Sequence, residues 1–184
     1  MPMDASRNSL VLPILGLLTE QPAHAYDLAG RLRDRSGRLP VTRSTVATLL
    51  KSMARSGLVT AREPGRVGNR PPRTVYETTS AGVADFHHRV ESGLRDSPVA
   101  SMDFVLAVGY AGVLSADRAA LILEERAALL ASSESDPSQG TLEAEYWRGM
   151  AAAEITWIRE LARRIRTREI TWGAKPALAG RANA

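Results

Sequence analysis

Eleven lysine or arginine side chains fall between Arg31 and Arg73, against two acids, Asp34 and Glu63. The local charge of +9 exceeds the +4 of the whole 184-residue chain. Clustered cations of that density attract phosphate, and a basic helix followed by a basic loop is the electrostatic footprint of nucleic-acid binding. Arg43 and Lys51 stand among the short hydroxyl side chains Thr42, Ser44, Thr45 and Thr48. Short side chains let a helix approach phosphates closely, and arginine bonds either phosphate or a guanine edge. Arg66, Asn69, Arg70 and Arg73 lie in a Gly- and Pro-rich stretch suited to minor-groove or backbone contact.

Other chemistries find little support in the sequence. There is no cysteine, so neither a disulfide nor a thiolate metal site can form. Adjacent His87 and His88 would point to different faces of a helix and have no acidic cluster beside them, so no metal site is expected. No nucleophile elbow, phosphate-cradling glycine loop or paired His/carboxylate motif occurs, so neither an enzyme nor a cofactor is expected. The aromatic residues Tyr110, Tyr146 and Trp147 could wall an apolar pocket between helices.

The basic residues need elements to position them. Leu10, Ile14, Leu17 and Leu18 share a helical face, with the helix starting near Pro13 or distorted in its first turn. A second helix is expected from about Ala23 to Ser36-Gly37, with Ala25, Leu28, Ala29 and Leu32 on one face. Thr42 reads as the N-cap of a third helix, in which Val46, Leu49, Leu50 and Met53 face inward and Gly57 closes the end. Leu58–Glu63 and Arg73–Thr78 read as two strands joined by a turn. A fourth helix starts near Ser80 and turns Val83, Phe86, Val90 and Leu94 inward.

Asp96-Ser97-Pro98 marks a domain boundary. Residues 1–98 carry 14 basic and 9 acidic groups, residues 99–184 carry 10 and 11, so the halves differ in charge and in expected task. Beyond the boundary come the apolar stretch Phe104–Leu114, a helix capped by Ser115, a Ser-rich linker at 132–141, and a last helix expected from Leu142 to Trp172. Its apolar stripe is Trp147, Met150, Ala151, Ile158, Leu161 and Ile165. Such a helix would be about 45 Å long, more than one small subunit covers, which implies a partner helix. Neither apolar run suits a membrane span or a cleaved leader: Arg7 is balanced by Asp4, and Glu20 follows the first run.

In order and spacing, the fragments Leu15-Gly16-Leu17-Leu18, Pro22-x-His24-x-Tyr26-x-Leu28, Ser44-Thr45-Val46-x-x-Leu49-Leu50, Ser56-Gly57-Leu58-Val59, Pro71-Pro72-Arg73-x-x-Tyr76 and Thr79-x-x-Gly82 resemble the winged-helix domain of the PadR family of bacterial transcriptional regulators. Glu124-Glu125-Arg126 and Ala153-Glu154-x-x-Trp157-Ile158-x-x-Leu161 resemble, more loosely, the family's virulence-activator-type helical region. Two positions depart from the pattern. Ala25 stands where the family usually has glycine, and Ala47 where it commonly has a tyrosine that touches the DNA backbone. The second departure shifts that contact to Ser44, Thr45, Thr48 and the wing arginines.

The expected architecture is mainly α with a small β-hairpin: a winged helix-turn-helix domain over 1–96, a helical dimerisation and effector domain over 97–173, and a disordered tail over 174–184. The resemblance implies a cytoplasmic, homodimeric transcriptional regulator, expected to be a repressor, that binds an inverted-repeat operator in double-stranded DNA. The expected DNA-binding set is Tyr26, Thr42, Arg43, Ser44, Thr45, Thr48, Lys51, Arg66, Asn69, Arg70 and Arg73. Phe104, Leu106, Trp157 and Leu161 are the expected dimer seam, and Tyr110, Tyr146 and Trp147 the walls for a small aromatic effector. The competing readings are a winged-helix protein-interaction module and a ligand-binding protein without DNA readout.

Overall fold

The computed structural model describes residues 8–35, 41–62, 74–132 and 140–173. The wing residues Arg66, Asn69, Arg70 and Arg73, most of the 132–141 linker and the 174–184 tail lie outside the described residues. The chain divides into two compact units, Met1–Val90 and Glu91–Ala184, with the division inside a continuous helix that ends at Asp96.

In the first unit, α1 (Val11–Glu20) precedes β1 (Ala23–His24), α2 (Ala25–Arg35), α3 (Arg43–Arg55), β2 (Val59–Arg62), β3 (Val75–Thr78) and α4 (Ser80–Asp96), which runs on into the second unit. Helix α1 begins two residues before Pro13 and is regular there. Pro13 costs nothing at that point, because the first-turn N–H groups have no intrahelical partner to lose. Leu28 and Leu32 of α2 and Val46, Leu49, Leu50 and Met53 of α3 are buried in the core with the α1 side chains Ile14, Leu15 and Leu18.

The sheet has three strands rather than the two of a simple hairpin, in the order β1-β3-β2, all antiparallel. Ala23 and His24 pair with Tyr76 and Val75, and the His24 Nδ1 donates to the Thr74 carbonyl at 3.1 Å. This corrects the expected helix start at Ala23: the backbone there is spent on the sheet, and α2 begins at Ala25.

Glycine is required where α4 meets the end of α3. Gly57, at φ 75°, closes α3 in a Schellman motif, with Leu58 N–H bonded to Met53 O at 2.9 Å and Gly57 N–H to Ala54 O at 3.2 Å. Thr79 then joins the two helices. Its hydroxyl donates to Gly57 O at 2.6 Å and accepts from Gly82 N–H at 3.0 Å. A Cβ on Gly82 would stand 2.0 Å from the Leu58 carbonyl oxygen. The Thr79-x-x-Gly82 spacing is the geometric condition for seating α4 on that turn.

The second unit contains the end of α4, α5 (Met102–Tyr110), a short 3-10 turn at Ala111–Val113, α6 (Ala116–Ser132) and α7 (Leu142–Arg166). Ser115 caps α6 by accepting from Arg118 N–H at 3.2 Å. Helices α6 and α7 form the main packing pair of the unit. The inward face of α7 is Ile155, Ile158, Ala162 and Ile165, whereas Trp147 of the expected stripe is 48% exposed.

Helix α7 ends six residues earlier than expected. Arg168 takes φ 58°, its N–H bonds Ile165 O at 3.2 Å, and Glu169 N–H bonds Arg164 O at 3.0 Å. This is a second Schellman motif with arginine in the glycine position. The chain then turns, and the Trp172 indole N–H donates to Leu114 O at 2.9 Å.

The turn from α4 to α5 hangs on one buried ion pair. Arg126, 2% exposed, donates to Glu154 Oε1 at 2.5 and 2.9 Å, and to the carbonyls of Arg95, Ser97 and Pro98 at 3.1, 2.7 and 3.4 Å. The other Glu154 oxygen accepts from Ala100 N–H at 2.8 Å, holding that residue at φ 57°. A buried charge persists only when its hydrogen-bonding capacity is met, and here it is.

Candidate nucleic-acid interface

Helix α3 is built to show one polar face. Thr42 caps it by accepting from Thr45 N–H at 3.1 Å, and bonds the Ser44 and Thr45 hydroxyls at 2.9 and 2.8 Å. The Thr42 oxygen therefore serves the helix start. Burial of Val46, Leu49, Leu50 and Met53 fixes the helix rotation. Ser44, Thr48, Lys51 and Arg55 are left exposed along one stripe at spacings of four, three and four residues. Arg55 belongs to this stripe but not to the contact set expected from sequence, although its spacing from Lys51 already placed it on the polar face. Thirteen residues of helix span about 20 Å, and a major groove about 12 Å wide admits such a helix.

Arg43 and Tyr26 come together. The guanidinium carbon lies 4.1 Å from the ring centre, and Tyr26 is 49% exposed. The stacking fixes the arginine without neutralising it. Ala47, at the position where tyrosine is common in the family, is half-buried.

The basic cluster is not one uniform patch. Arg31 and Arg35 both pair with Glu20, at 2.6 and 2.7 Å. Arg62 pairs with Glu77 across the β2–β3 ladder, and the Arg62 hydrogen bond holds the Glu77 carboxyl below its ordinary pKa. Among the described residues, Arg33, Arg43, Lys51 and Arg55 have no carboxylate partner, and three of these four stand on α3.

Residues 14–88 match the model of the family described as "Transcriptional regulator PadR-like family". This winged-helix segment belongs to the PadR-like family of transcriptional regulators. The match covers α3 and both strands of the hairpin, so the exposed cationic stripe lies inside the family's segment. Solved structures similar to the chain include Bacillus subtilis PadR in complex with operator DNA (18% identity, TM-score 0.45, covering 86% of this chain and 99% of that one). They also include the same protein with p-coumaric acid (17%, 0.39, 86% and 99%) and smu.1604c from Streptococcus mutans UA159 (16%, 0.42, 86% and 97%). No curated protein matches the chain in sequence at a significant level.

The remaining expected residues lie in the second unit. Phe104 and Leu106 are buried, Leu161 is half-buried, and Trp157 is 47% exposed with its ring edge-on to Phe104 at 6.2 Å. Tyr110 is buried in α5, whereas Tyr146 and Trp147 stand exposed on α7 with ring centres 5.2 Å apart. Among the described residues no group of three His, Asp or Glu could hold a metal ion, and no helix is long and apolar enough to cross a membrane.

Proposed function

We propose that the chain is a cytoplasmic, homodimeric transcriptional repressor that binds an inverted-repeat operator through α3 and the wing. The observation that carries this reading is the exposed stripe of α3, with Lys51, Arg55 and the Tyr26-stacked Arg43 facing no carboxylate among the described residues. It lies inside the segment that matches the PadR-like family. Cations left unneutralised at that position favour a phosphate-bearing partner over a protein one. Ser44, Thr45 and Thr48 supply the close approach, and Arg66, Asn69, Arg70 and Arg73 the wing contacts. Residues 1–96 would carry DNA binding, and 97–173 dimerisation and effector response.

A two-fold dimer presents two α3 helices, so half-sites should recur about one helical turn apart or a multiple of it. Sequencing genomic DNA that copurifies with the chain, then footprinting the recovered site, tests the reading. A protected inverted repeat upholds it, and a chain that retains no duplex DNA at low salt rejects it.

The effector role of Tyr110, Tyr146 and Trp147 belongs to the same proposal. The aromatic pair on α7 offers flat apolar faces to a small aromatic ligand. Tryptophan quenching by p-coumaric acid and related compounds, lost on Tyr146→Ala with Trp147→Ala, would support it. Operator release by such a compound that survives both substitutions would place the pocket elsewhere.

A further inference from the structure

Arg43 is held by a ring rather than by an acid. Its guanidinium carbon lies 4.1 Å from the centre of the Tyr26 ring, which the second residue of α2 carries to the first turn of α3. Arg31, Arg35 and Arg62 are instead bound to carboxylates. A ring face attracts the charge without the lone-pair acceptors by which a carboxylate takes up the donor fork. Arg43 is exposed, and it makes no ion pair or hydrogen bond among the described residues. Its charge and its donors stay open while its position is held.

The place on the helix matters as much. Arg43 is the first residue of α3, directly after the Thr42 cap. It stands about 100° round the helix from Ser44 and about 12 Å along it from Lys51. In a helix-turn-helix the residues at the start of the recognition helix reach base edges. Of the three cations on α3, Arg43 alone lies in the first turn, whereas Lys51 and Arg55 follow two and three turns later. The planar fork of an arginine matches O6 and N7 of guanine with two hydrogen bonds. A freely rotating arginine would meet phosphate as readily as a base edge, because both accept its donors. Tyr26 restricts that freedom before DNA arrives, so less of it is lost on binding.

We propose that Arg43 reads a guanine in each operator half-site, and that Tyr26 is the positioning residue that aims it. The inference deepens the reading of α3 as the DNA-contacting helix and rests on it. Lys51 and Arg55 then supply affinity for any duplex, and Arg43 supplies discrimination between sequences. Tyr26 acts through the guanidinium it holds, not through a DNA contact of its own.

Selection from a random-sequence duplex library with the full-length protein tests this. The wild type should return sites with a fixed guanine in each half-site. Arg43→Ala should relax that one position, keep the preferences at the others, and bind the wild-type site about 5- to 100-fold more weakly. Arg43→Lys keeps the charge but not the fork, and should relax the same position. Tyr26→Ala should relax it too, whereas Tyr26→Phe, which keeps the ring face, should preserve it. 7-Deazaguanine at that position lacks the N7 acceptor; it should weaken wild-type binding and leave Arg43→Ala binding unchanged. An Arg43→Ala protein that selects the wild-type site would overturn the proposal. So would one that weakens equally on all sequences with a salt slope flatter by about 0.9, since Arg43 would then be a phosphate contact and α3 would remain the DNA helix. A Tyr26→Ala protein that is less stable but keeps the wild-type base preference would overturn the positioning role. A wild-type chain that retains no duplex DNA at low salt would overturn both this inference and the reading beneath it.

Discussion

In the first unit the cations of α3 face no carboxylate among the described residues, whereas in the second unit Arg95, Arg118, Arg126, Arg163 and Arg166 each hold one. The same residue type does different work in the two places. Around α3, charge is left over after folding and is available to an external phosphate. For these five arginines of the second unit it is consumed by folding, in surface pairs such as Arg166–Glu124 and in the buried Arg126–Glu154 pair. Even in the first unit Arg31 and Arg35 share Glu20 and Arg62 pairs with Glu77, which leaves α3 with three of the four cations of the basic cluster that have no carboxylate partner among the described residues. Counting cations along a sequence therefore overstates a binding surface. Setting aside those with an acid beside them narrows it.

The hardest test of this contrast is Arg126→Ala. Removing one partner of a buried ion pair typically costs about 3–5 kcal/mol, because the other is left charged and unpaired. Urea unfolding should show that loss. Replacing both, with Arg126→Met and Glu154→Leu, should recover the part due to the unpaired Glu154 charge but not the part due to the Arg95, Ser97 and Pro98 carbonyls, which still lose their donor. An Arg126→Ala protein as stable as the wild type would mean the pair carries no structural role.

Next in size is Gly82→Ala, whose methyl group would press on the Leu58 carbonyl at the α3–α4 seat. Overpacking of that kind costs about 1–3 kcal/mol. Operator affinity should fall with stability, since the substitution disturbs the turn that ends α3. Unchanged thermal unfolding would show that the seat adjusts freely.

The contrast sharpens with salt. Lys51→Ala and Arg55→Ala should each flatten the slope of log affinity against log salt by about 0.9 if each loses one phosphate contact. Their stability should stay within about 0.5 kcal/mol of the wild type. Arg118→Ala and Arg166→Ala should leave the slope untouched. Anisotropy titrations on duplex DNA at several salt concentrations would decide, and an equal effect of all four would erase the distinction between free and consumed charge.

The smallest effect compares the two Schellman ends. Gly57 holds φ 75° without strain, while Arg168 holds φ 58° with a side chain that disfavours it. Arg168→Gly should stabilise the chain by about 0.5 kcal/mol, the net of relieved αL strain and the glycine entropy cost. A loss of stability on calorimetry would mean the arginine side chain contributes more than its backbone costs.

How much of this was legible beforehand depends on the range of the interaction. Helix α3 was, since its apolar period, its Thr42 cap and its Gly57 terminus are all local signals. Strand β1 was not, because Ala23–His24 is too short to show a period and is made a strand by Tyr76 and Val75, more than fifty residues on in sequence. The end of α7 was missed because arginine occupies the position where glycine normally announces a stop. The partners of Arg31, Arg35 and Arg62 were hidden for a related reason: their acids lie 11 to 15 residues away and are reached only through the fold. Burial of Arg126 gave no sequence signal, since arginine is ordinarily a surface residue. Of the candidate interface, the helix could be read and the wing falls outside the described residues.

The clamp at Arg126 also limits how this sequence can change by descent. One guanidinium holds three carbonyls and the carboxylate that fixes Ala100, so neither Arg126 nor Glu154 can be exchanged alone without spending a large part of a stability margin that is only about 5–15 kcal/mol in ordinary domains. A lineage can leave this arrangement by replacing both within a short interval, or by first gaining stability elsewhere. The two positions should accordingly be inherited as a unit, while the α3 stripe, which holds nothing up, is free to drift toward new operators.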